Sequence, residues 1–403
     1  MKFDYDVIVV GAGPGGSTAA RVCAQAGLRV LLIDKERFPR YKPCAGCLSV
    51  KAARLLGFDP GPVVENTVNS AKFTYALKDS FSIRSPQPIA LMVMRDRFDQ
   101  FLVEKASEAG AEFVEGEKVV RVEEKDERVE VTLAGGEKVR CGYLIGADGA
   151  GSVVAKLLSS LQPKGPGDGA GLESALLLES AIGFPKEELQ MLHFDFGRVP
   201  YGYGWVFPKG KWLSIGIGGV FKGERRKPLD HFNTLLEGLP FTCEGSPGRV
   251  LGHRVPSFYS LEQKVSQGRI LLVGDAAHLI DPLTGEGIYY ALRSGWLASE
   301  AILGSKKDGR DVSAQYQRVV EDLLFEDLKW ALNVSRFIYR STHLAYQTFK
   351  RYPELGTLYI QVLEGKETYQ GFVTRLKGRA RGLLKGKLSE KIKKVLVTPL
   401  RDF

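Results

Sequence analysis

The chain has 403 residues, 44% of them hydrophobic and 26% charged, which is typical of a folded protein and too long for one compact core. Its net charge of +9 is concentrated at positions 375–394, where nine Lys or Arg residues accompany one acid, so a general nucleic-acid surface is excluded and no nucleic-acid partner is expected. No run is long enough to span a bilayer, no secretory signal precedes the first predicted strand, and the five scattered cysteines fit a reducing compartment, so we expect a cytoplasmic protein.

The first predicted elements form a strand–turn–helix–strand unit. An apolar run at 7–10 predicts a buried strand, and Gly11, Gly13 and Gly16 form a G-x-G-x-x-G turn that opens a helix. A second apolar strand at 28–33 ends at Asp34, 23 residues after the first glycine of the turn. Glycines in this context allow the backbone to approach a pyrophosphate at the helix N-terminus, and the acid accepts hydrogen bonds from a ribose. The unit therefore predicts a dinucleotide site.

The next part of the chain alternates between irregular, strand-like and helical patterns. Positions 35–48 are rich in Lys, Arg and Pro and predict a loop. Alternating residues at 63–94 predict strands, and 95–109 predicts an amphipathic helix. Four further strands are expected, at 113–114, 119–122, 129–133 and 139–145. The last of them leads into a second glycine–acid turn at Asp148 and Gly149.

A separate sheet is predicted in the middle of the chain. Its strands are expected to be antiparallel and to lie at 176–180, 189–194, 205–207 and 212–220. A buried strand at 269–273 then leads into a third glycine–acid turn, Gly274 and Asp275. Helices are expected at 287–303 and, almost continuously, at 313–350.

This order predicts a discontinuous nucleotide-binding domain, an inserted sheet domain and a helical C-terminal region. The nucleotide-binding domain is expected at 1–62, 95–170 and 257–305, the substrate domain at 63–94 and 171–256, and the helical region at 306–403. The basic segment at 375–394 also has apolar residues at helical spacing. It is either an amphipathic helix on an anionic membrane surface, which would make the protein peripheral, or a terminal helix with a solvated face. We expect a monomer or a weak oligomer.

The three glycine–acid turns each follow a buried strand, in the order Gly11–Gly16, Asp148–Gly149 and Gly274–Asp275. In this order they resemble the glutathione-reductase-type FAD fold of the p-hydroxybenzoate hydroxylase class, over roughly residues 4–300. The resemblance implies an α/β protein, α+β overall, with an FAD-binding Rossmann domain, an inserted antiparallel β-sheet substrate domain and a helical C-terminal region. FAD is the expected cofactor.

The resemblance also implies where FAD binds. The first turn would hold the pyrophosphate, Asp34 the adenosine ribose and Asp275 a hydroxyl of the ribityl chain. Arg95 would contact the phosphates or the ribityl chain, and backbone N–H groups of the P-x-x-G-x-G motif at 282–287 would face the flavin ring. The full expected set is Gly11, Gly13, Pro14, Gly15, Gly16, Asp34, Lys35, Cys44, Ala45, Gly46, Arg95, Val119, Asp148, Gly274, Asp275, Gly285, Gly287 and Ile288.

Two further motifs resemble those of geranylgeranyl reductases. Residues 39–46, PRYKPCAG, resemble the P-R-x-K-x-C-G-G signature, with Ala45 in place of a glycine and Cys47 where a third glycine is frequent. Residues 203–208, YGWVFP, are similar to the Y-x-W-x-F-P motif. Cys44 is then a flavin-facing thiol and a candidate proton donor. Cys44 and Cys47 form a C-x-x-C without a second cysteine pair, so no metal site is expected.

The family implies reduction of isolated trisubstituted C=C bonds in a polyprenyl (geranylgeranyl) chain, by hydride transfer from reduced flavin. Because side chains alternate along a strand, Tyr203, Trp205 and Phe207 are expected to face one side of the sheet and to line a dry apolar tunnel. The expected catalytic residues are Cys44, Tyr203 and Trp205. The expected substrate contacts are Lys42, Tyr203, Trp205, Phe207 and Pro208.

Two alternatives to a prenyl reductase remain open. One is a flavin-dependent monooxygenase or halogenase on the same frame, and the other is a lipid-binding flavoprotein without a catalytic step. The substrate, a prenyl lipid or a prenyl diphosphate, is also open. The class usually has an arginine shortly after the serine that follows Asp-Gly, whereas valines follow Ser152 here, so the electron donor stays open among NAD(P)H, a ferredoxin and a quinol.

Overall fold

The computed structural model describes residues 4–125, 127–158, 174–181, 191–239 and 250–383. The strands, in chain order from β1 to β18, are Tyr5–Val10, Val30–Asp34, Cys47–Ser49, Val64–Val68, Ser70–Tyr75, Asp79–Arg84, Ala90–Val93, Glu112–Glu115, Val119–Lys125, Arg128–Leu133, Lys138–Gly146, Ser174–Ala181, Met191–Phe196, Tyr203–Lys209, Trp212–Gly219, Leu251–Arg254, Ser266–Gln267 and Ile270–Leu272. The α-helices, from α1 to α11, are Pro14–Gln25, Val50–Leu55, Arg95–Glu108, Val153–Leu158, Pro228–Glu237, Ile288–Asp308, Val312–Val320, Glu326–Arg340, Thr342–Arg351, Pro353–Leu363 and Tyr369–Leu383.

An eight-stranded sheet has the order β17-β18-β11-β1-β2-β8, with β10 joining β11 to β9. The pairs β1–β2, β1–β11, β11–β18 and β2–β8 are parallel, as expected for strands rich in buried Val, Ile and Leu. Val10 pairs with Gly146, and Gly146 pairs with Leu272, so β1, β11 and β18 end at the same edge of the sheet. The three glycine–acid turns therefore lie side by side.

Two glycines allow the backbone to approach itself at this edge. Gly11 has a φ of +103°, and a Cβ there would lie 2.3 Å from the carbonyl oxygen of Ala147 in the second turn. A Cβ on Gly295 of α6 would lie 2.3 Å from the carbonyl oxygen of Gly15 in α1. Only glycine fits at both positions, because no real Cβ comes that close to a backbone oxygen.

A seven-stranded sheet forms the second layer, in the order β16-β12-β15-β14-β13-β5-β6. It is antiparallel except that β5 and β13 pair in parallel, with Ser70 opposite Met191 and Tyr75 opposite Phe196. The expectation of a purely antiparallel sheet is therefore wrong for this one pair of strands. The reason is that β5 and β6 arrive as a hairpin from a distant part of the chain, so no tight turn dictates the direction of β5 relative to β13.

The stretch 63–94 divides between two sheets. Its β5 and β6 belong to the seven-stranded sheet, whereas β4 and β7 pair with β3, Cys47–Ser49, in a three-stranded sheet of order β3-β7-β4. The pairing of β3 with β7 holds the end of the loop that was predicted at 35–48 and that contains Cys44 and Cys47. Alternation along the sequence predicted strands here but could not assign them to sheets.

Helices α8 to α11 cover the face of the seven-stranded sheet. Val334 of α8, Leu358 of α10 and Tyr369 of α11 pack in one buried cluster with Leu192 and Trp205 of the sheet. The predicted helix at 313–350 is divided by a π-helical turn at Glu321–Phe325 and by a break at residue 341. Helix α11 ends at Leu383, and the rest of the basic segment lies outside the described residues. Among the helices described between residues 4 and 383, none is long and apolar enough to cross a membrane.

Replacing Gly295 by alanine is expected to destabilise the protein, because the new Cβ must displace the Gly15 carbonyl or separate α1 from α6. Overpacking of this kind costs about 1–3 kcal/mol, so the midpoint of thermal unfolding should fall by several degrees. The matched control is Gly378→Ala in α11, where nothing lies within 4 Å of the added Cβ. That change should be neutral or stabilising, and equal midpoints for the two variants would contradict the close packing of α1 and α6.

Candidate active site

A large cavity lies between the shared edge of β1, β11 and β18 and the face of the seven-stranded sheet. About 2130 Å³ of it is free of protein atoms, counting its open mouth. One end, the nucleotide end, is lined by Pro14, residues 42–47, Asp275 and residues 284–288. The other, the apolar end, is lined by side chains of β5, β6, β13 and β14 and of helices α8 to α10.

At the nucleotide end, the N-terminus of α1 faces a partly buried cation, Arg40. A Cβ on Gly13 would lie 3.7 Å from Nη2 of Arg40, so this arginine lies against the glycine turn. The guanidinium stacks over Phe38, 4.9 Å from the ring centroid, and its Nη1 atom is buried without a hydrogen-bond partner among the described residues. A buried donor without a partner, beside a helix N-terminus, fits an anion such as a pyrophosphate.

Arg40 shares one buried carboxylate with Arg95. Arg95 forms a bidentate pair with Asp99, with both N–O distances 2.8 Å, and Nη2 of Arg40 lies 3.0 Å from the same carboxylate. Burial alone would raise the pKa of Asp99, but Arg95 and then Arg40 hold that pKa below its ordinary value. Two guanidinium groups against one carboxylate leave one positive charge for an anion. The residues present therefore fit the diphosphate of a dinucleotide.

The two acids expected to bind sugar hydroxyls have different surroundings. Asp34 accepts a hydrogen bond from the N–H of Ala12, at 2.7 Å, which ties the end of β2 to the glycine turn. Asp275 lies 3.1 Å from Nζ of Lys42 and 4.0 Å from Nε2 of His253. Burial opposes ionisation, yet Lys42 and His253 hold the pKa of Asp275 well below its ordinary range. Asp275 is therefore an ionised acceptor on the wall of the cavity.

The loop 281–287 closes the nucleotide end. Gly285, Gly287 and Ile288 line the cavity, and a Cβ on Gly287 would lie 3.4 Å from Oδ1 of Asp275. Helix α6 begins at Ile288, so its N-terminal N–H groups lie next to this part of the cavity. A second helix N-terminus thus contributes partial positive charge at the same end.

The apolar end has an aromatic wall, which we define as Phe73, Phe81, Phe194, Tyr203, Trp205 and Phe207. The rings of Phe73 and Phe81 stack at 5.1 Å between centroids, and those of Phe73 and Phe194 at 5.4 Å. Phe194 meets Phe207 edge to face at 5.1 Å. The wall crosses the neighbouring strands β6, β5, β13 and β14. Offset stacked and edge-to-face contacts of this kind make a rigid apolar surface.

Alternation along β14 separates the predicted substrate residues. Tyr203, Trp205 and Phe207 line the cavity together, whereas Pro208 is buried without lining it. The structure therefore gives no support for a substrate contact by Pro208, because consecutive residues of a strand face opposite sides. Lys42 lines the cavity at the nucleotide end, in its ion pair with Asp275, and not on the aromatic wall.

Cys44 and Cys47 are both free and both line the cavity. The N–H of Gly46 lies 3.4 Å from Sγ of Cys44, and the fully buried Lys209 donates from Nζ to the Cys44 carbonyl oxygen at 3.2 Å. Burial raises the pKa of Cys47 far above its ordinary value, so that thiol stays protonated. The described part of the chain contains no group of three or more His, Cys, Asp or Glu side chains placed to hold a metal ion.

Nine of the eighteen residues expected to bind FAD line this cavity, and Asp148, Val119 and Lys35 are among the nine that do not. The carboxylate of Asp148 accepts hydrogen bonds from Oγ of Ser152 at 2.5 Å and from the N–H of Val153 at 2.6 Å. The structure thus assigns this side chain to capping of α4, and a contact of Asp148 with FAD stays a prediction. Val119 is buried in the core of the first sheet, and Lys35 is exposed. A contact of these two residues with FAD stays a prediction.

No role for Arg40, Asp99, Lys209 or His253 follows from the sequence alone. Two of these residues could have been identified from sequence patterns. Arg40 lies within the recognised PRYKPCAG motif, and Asp99 follows Arg95 by four residues, which is the spacing of an ion pair on a helix. Lys209 reaches the backbone of Cys44, and His253 reaches the cavity wall, from strands that are distant in sequence, so only the tertiary structure brings them there.

A protein-family model described as an FAD binding domain matches residues 4–175. The matched residues include the glycine turn, Asp34, Arg40 and the Arg95–Asp99 pair. The match agrees with the fit of the nucleotide end to a diphosphate. The cofactor is FAD, and the chain is an FAD-dependent oxidoreductase.

Three curated relatives cover most of the chain. The menaquinone reductase of Mycobacterium tuberculosis is 31% identical over 79% of this chain and 80% of that protein. Digeranylgeranylglycerophospholipid reductase 1 of Methanopyrus kandleri is 31% identical over 83% of this chain and 89% of its own length. The geranylgeranyl diphosphate reductase of Rhodobacter capsulatus is 33% identical over 78% of this chain and 79% of its own length.

Solved structures share the fold. A geranylgeranyl bacteriochlorophyll reductase-like protein from Thermoplasma acidophilum is similar with a TM-score of 0.73 and 26% identity, over 83% of this chain and 87% of that one. A flavin-dependent brominase has a TM-score of 0.72 at 20% identity, over 94% of this chain and 99% of its own, a likeness of fold alone. The expected fold class is confirmed. With these relatives and this architecture, the chain belongs to the geranylgeranyl reductase family of FAD-dependent oxidoreductases.

Proposed function

We propose that this protein reduces isolated C=C bonds of a polyprenyl chain carried by a lipid or a prenyl diphosphate. The observation that carries the proposal is the aromatic wall, which begins beside the 281–287 loop at Tyr203 and extends to Phe81 on β6. Relatives named for geranylgeranyl substrates support the same substrate class. An apolar chain in this cavity would gain about 25 cal/mol for each Å² of apolar surface it buries.

The polar atoms of the wall are bonded to protein groups, which favours a dry cavity. The hydroxyl of Tyr203 donates to the carbonyl oxygen of Thr284, and Nε1 of Trp205 donates to Oγ of Ser214 at 3.3 Å. Burial raises the pKa of Tyr203 far above its ordinary value, so the phenol stays neutral. Exclusion of water protects a carbon that becomes cation-like when an unconjugated alkene is reduced.

The proposed roles of the side chains follow from their positions. FAD in its reduced form would supply the hydride when bound. Cys44, whose side chain lines the cavity next to the nucleotide end, is proposed to give the proton to the second carbon of the double bond. Trp205 and Phe207 hold the chain in place, and Tyr203 holds it while bonding to the 281–287 loop. Arg40 and Asp275 are proposed to bind the pyrophosphate and the ribityl chain.

Anaerobic turnover tests this function against its alternatives. The FAD-loaded protein is reduced with dithionite without oxygen and incubated with geranylgeranyl diphosphate or an unsaturated digeranylgeranyl ether lipid. Mass spectrometry is expected to show products heavier by about 2 Da for each reduced bond, since one hydride and one proton are added. Product formed only in the presence of oxygen would instead indicate a monooxygenase or halogenase, and bound but unchanged lipid a non-catalytic flavoprotein.

Asp275→Ala is expected to weaken FAD retention by about tenfold or more, because a charged hydrogen-bond acceptor is lost from a buried site. The ratio of flavin to protein absorbance after purification and the FAD dissociation constant of the apoprotein measure the effect. Asp6→Asn, a carboxylate of the same sheet paired with Arg29 and Lys306, serves as control and should keep its flavin. An Asp275→Ala protein as yellow as the parent would refute the assignment.

Cys44→Ser is expected to slow alkene reduction by about a hundredfold, since loss of a general acid costs on that order, while FAD stays bound. Single-turnover oxidation of the reduced enzyme by the prenyl substrate measures this step. Cys47→Ser, at a cysteine that lines the same cavity, is the matched control and should have a much smaller effect. Unchanged turnover in Cys44→Ser would show that Cys44 is only a small buried side chain.

A further inference from the structure

Side chains from outside the eight-stranded sheet hold the 281–287 loop. We propose that Tyr203, Tyr339 and Tyr369, here called the tyrosine clamp, position this loop against the flavin ring. The three residues come from β14, α8 and α11, respectively. The C-terminal helices are thereby part of the flavin site as well as a cover for the apolar end.

Each hydroxyl of the clamp donates a hydrogen bond to a different residue of the loop. Tyr203 and Tyr339 donate to backbone carbonyl oxygens, and Tyr369 donates to a carboxylate oxygen at 2.6 Å. The acceptors, in the same order, are Thr284, Leu283 and Asp281. Three donors on three separate elements determine both the position and the orientation of the loop.

Asp281 transmits the contact with Tyr369 to the loop backbone. Its Oδ1 accepts hydrogen bonds from the N–H groups of Leu283 at 2.8 Å and Thr284 at 3.0 Å, while Oδ2 accepts from Tyr369. Asp281 is 1% exposed and Tyr369 is 0% exposed, so water does not replace these bonds. Burial also raises the pKa of Tyr369 well above its ordinary value, so the phenol keeps its proton at neutral pH.

The loop closes on itself and depends on outside contacts for its placement. Two of its internal hydrogen bonds join backbone groups, from the N–H of Asp281 to the Glu286 carbonyl at 3.1 Å and from the N–H of Gly285 to the Asp281 carbonyl at 2.9 Å. Neither bond reaches the sheet. Tyr369 is itself held, because its N–H donates to Oδ1 of Asp327 in α8 at 2.8 Å. The clamp therefore links α8 and α11 to the loop through buried groups.

Loss of one clamp hydroxyl has a specific expected effect on bound flavin. Arg40 and Asp99 are unaffected, so the pyrophosphate end stays held. A buried acceptor loses its donor, however, which loosens the loop. Backbone N–H groups and the N-terminus of α6 carry partial positive charge that stabilises the reduced flavin. A looser loop should therefore make the flavin midpoint potential more negative.

Tyr369→Phe in the full-length holoenzyme tests the proposal. We expect the FAD dissociation constant to rise about tenfold, the visible circular dichroism of the flavin to weaken, and the midpoint potential to become more negative. Tyr339→Phe provides a second variant, should Tyr369→Phe fail to fold, and the same changes are expected in the same direction. The potential and the flavin spectrum are readouts that a purely structural role of the tyrosine would leave unchanged.

Tyr346→Phe is the matched control. Tyr346 is also buried in the C-terminal helices, but its hydroxyl donates to the carbonyl oxygen of Asp79 at 2.8 Å, on the far strand of the seven-stranded sheet. Its flavin spectrum and potential should equal those of the parent. The proposal is overturned if both clamp variants keep the parental flavin spectrum and potential, or if Tyr346→Phe changes them equally. A lower unfolding temperature without a change in the flavin would also overturn it.

Discussion

The shared carboxyl edge of β1, β11 and β18 is the constraint on which the rest of the structure depends. Parallel pairing aligns the ends of these strands, and the backbone at Gly11 lies so close to Ala147 that no side chain fits between them. The glycine turn and Asp275 consequently have fixed relative positions. Helix α6, packed against α1 through Gly295, begins at the same edge and adds its own N-terminus to it. A rigid edge of this kind presents a dinucleotide with donors and acceptors that need no rearrangement.

Charge and apolar surface are separated along the cavity that starts at this edge. At one end, two arginines share the single carboxylate of Asp99, and Lys42 is paired with Asp275. At the other end, aromatic rings from four strands pack against each other, and their polar atoms bond to protein groups. Ionic groups buried in this way stay charged because they are paired. The separation matches a charged cofactor tail at one end and an apolar ligand at the other.

Local patterns in the sequence predicted the elements that are built from neighbouring residues. The glycine turn, the alternation of Tyr203, Trp205 and Phe207, and the parallel core strands could all be recognised within short windows. Contacts between distant segments of the chain could not be recognised within short windows. The parallel pairing of β5 with β13, which completes the aromatic wall with Phe73 and Phe81, has no local signal. Asp148 also shows the limit of a motif, since its position in a glycine–acid turn was recognised but its bonding to Ser152 depends on the turn geometry.

The aromatic wall is assembled from two separate parts of the chain, and this division has an evolutionary consequence. Phe73 and Phe81 lie on a hairpin that contributes nothing to the edge of the first sheet, whereas Tyr203 lies next to the 281–287 loop. Mutations in the hairpin are expected to change the shape of the apolar end of the cavity and to leave the residues of the nucleotide end in place. Descendants of one ancestral enzyme can in this way diverge in the size of the molecule they accept while inheriting the same chemistry.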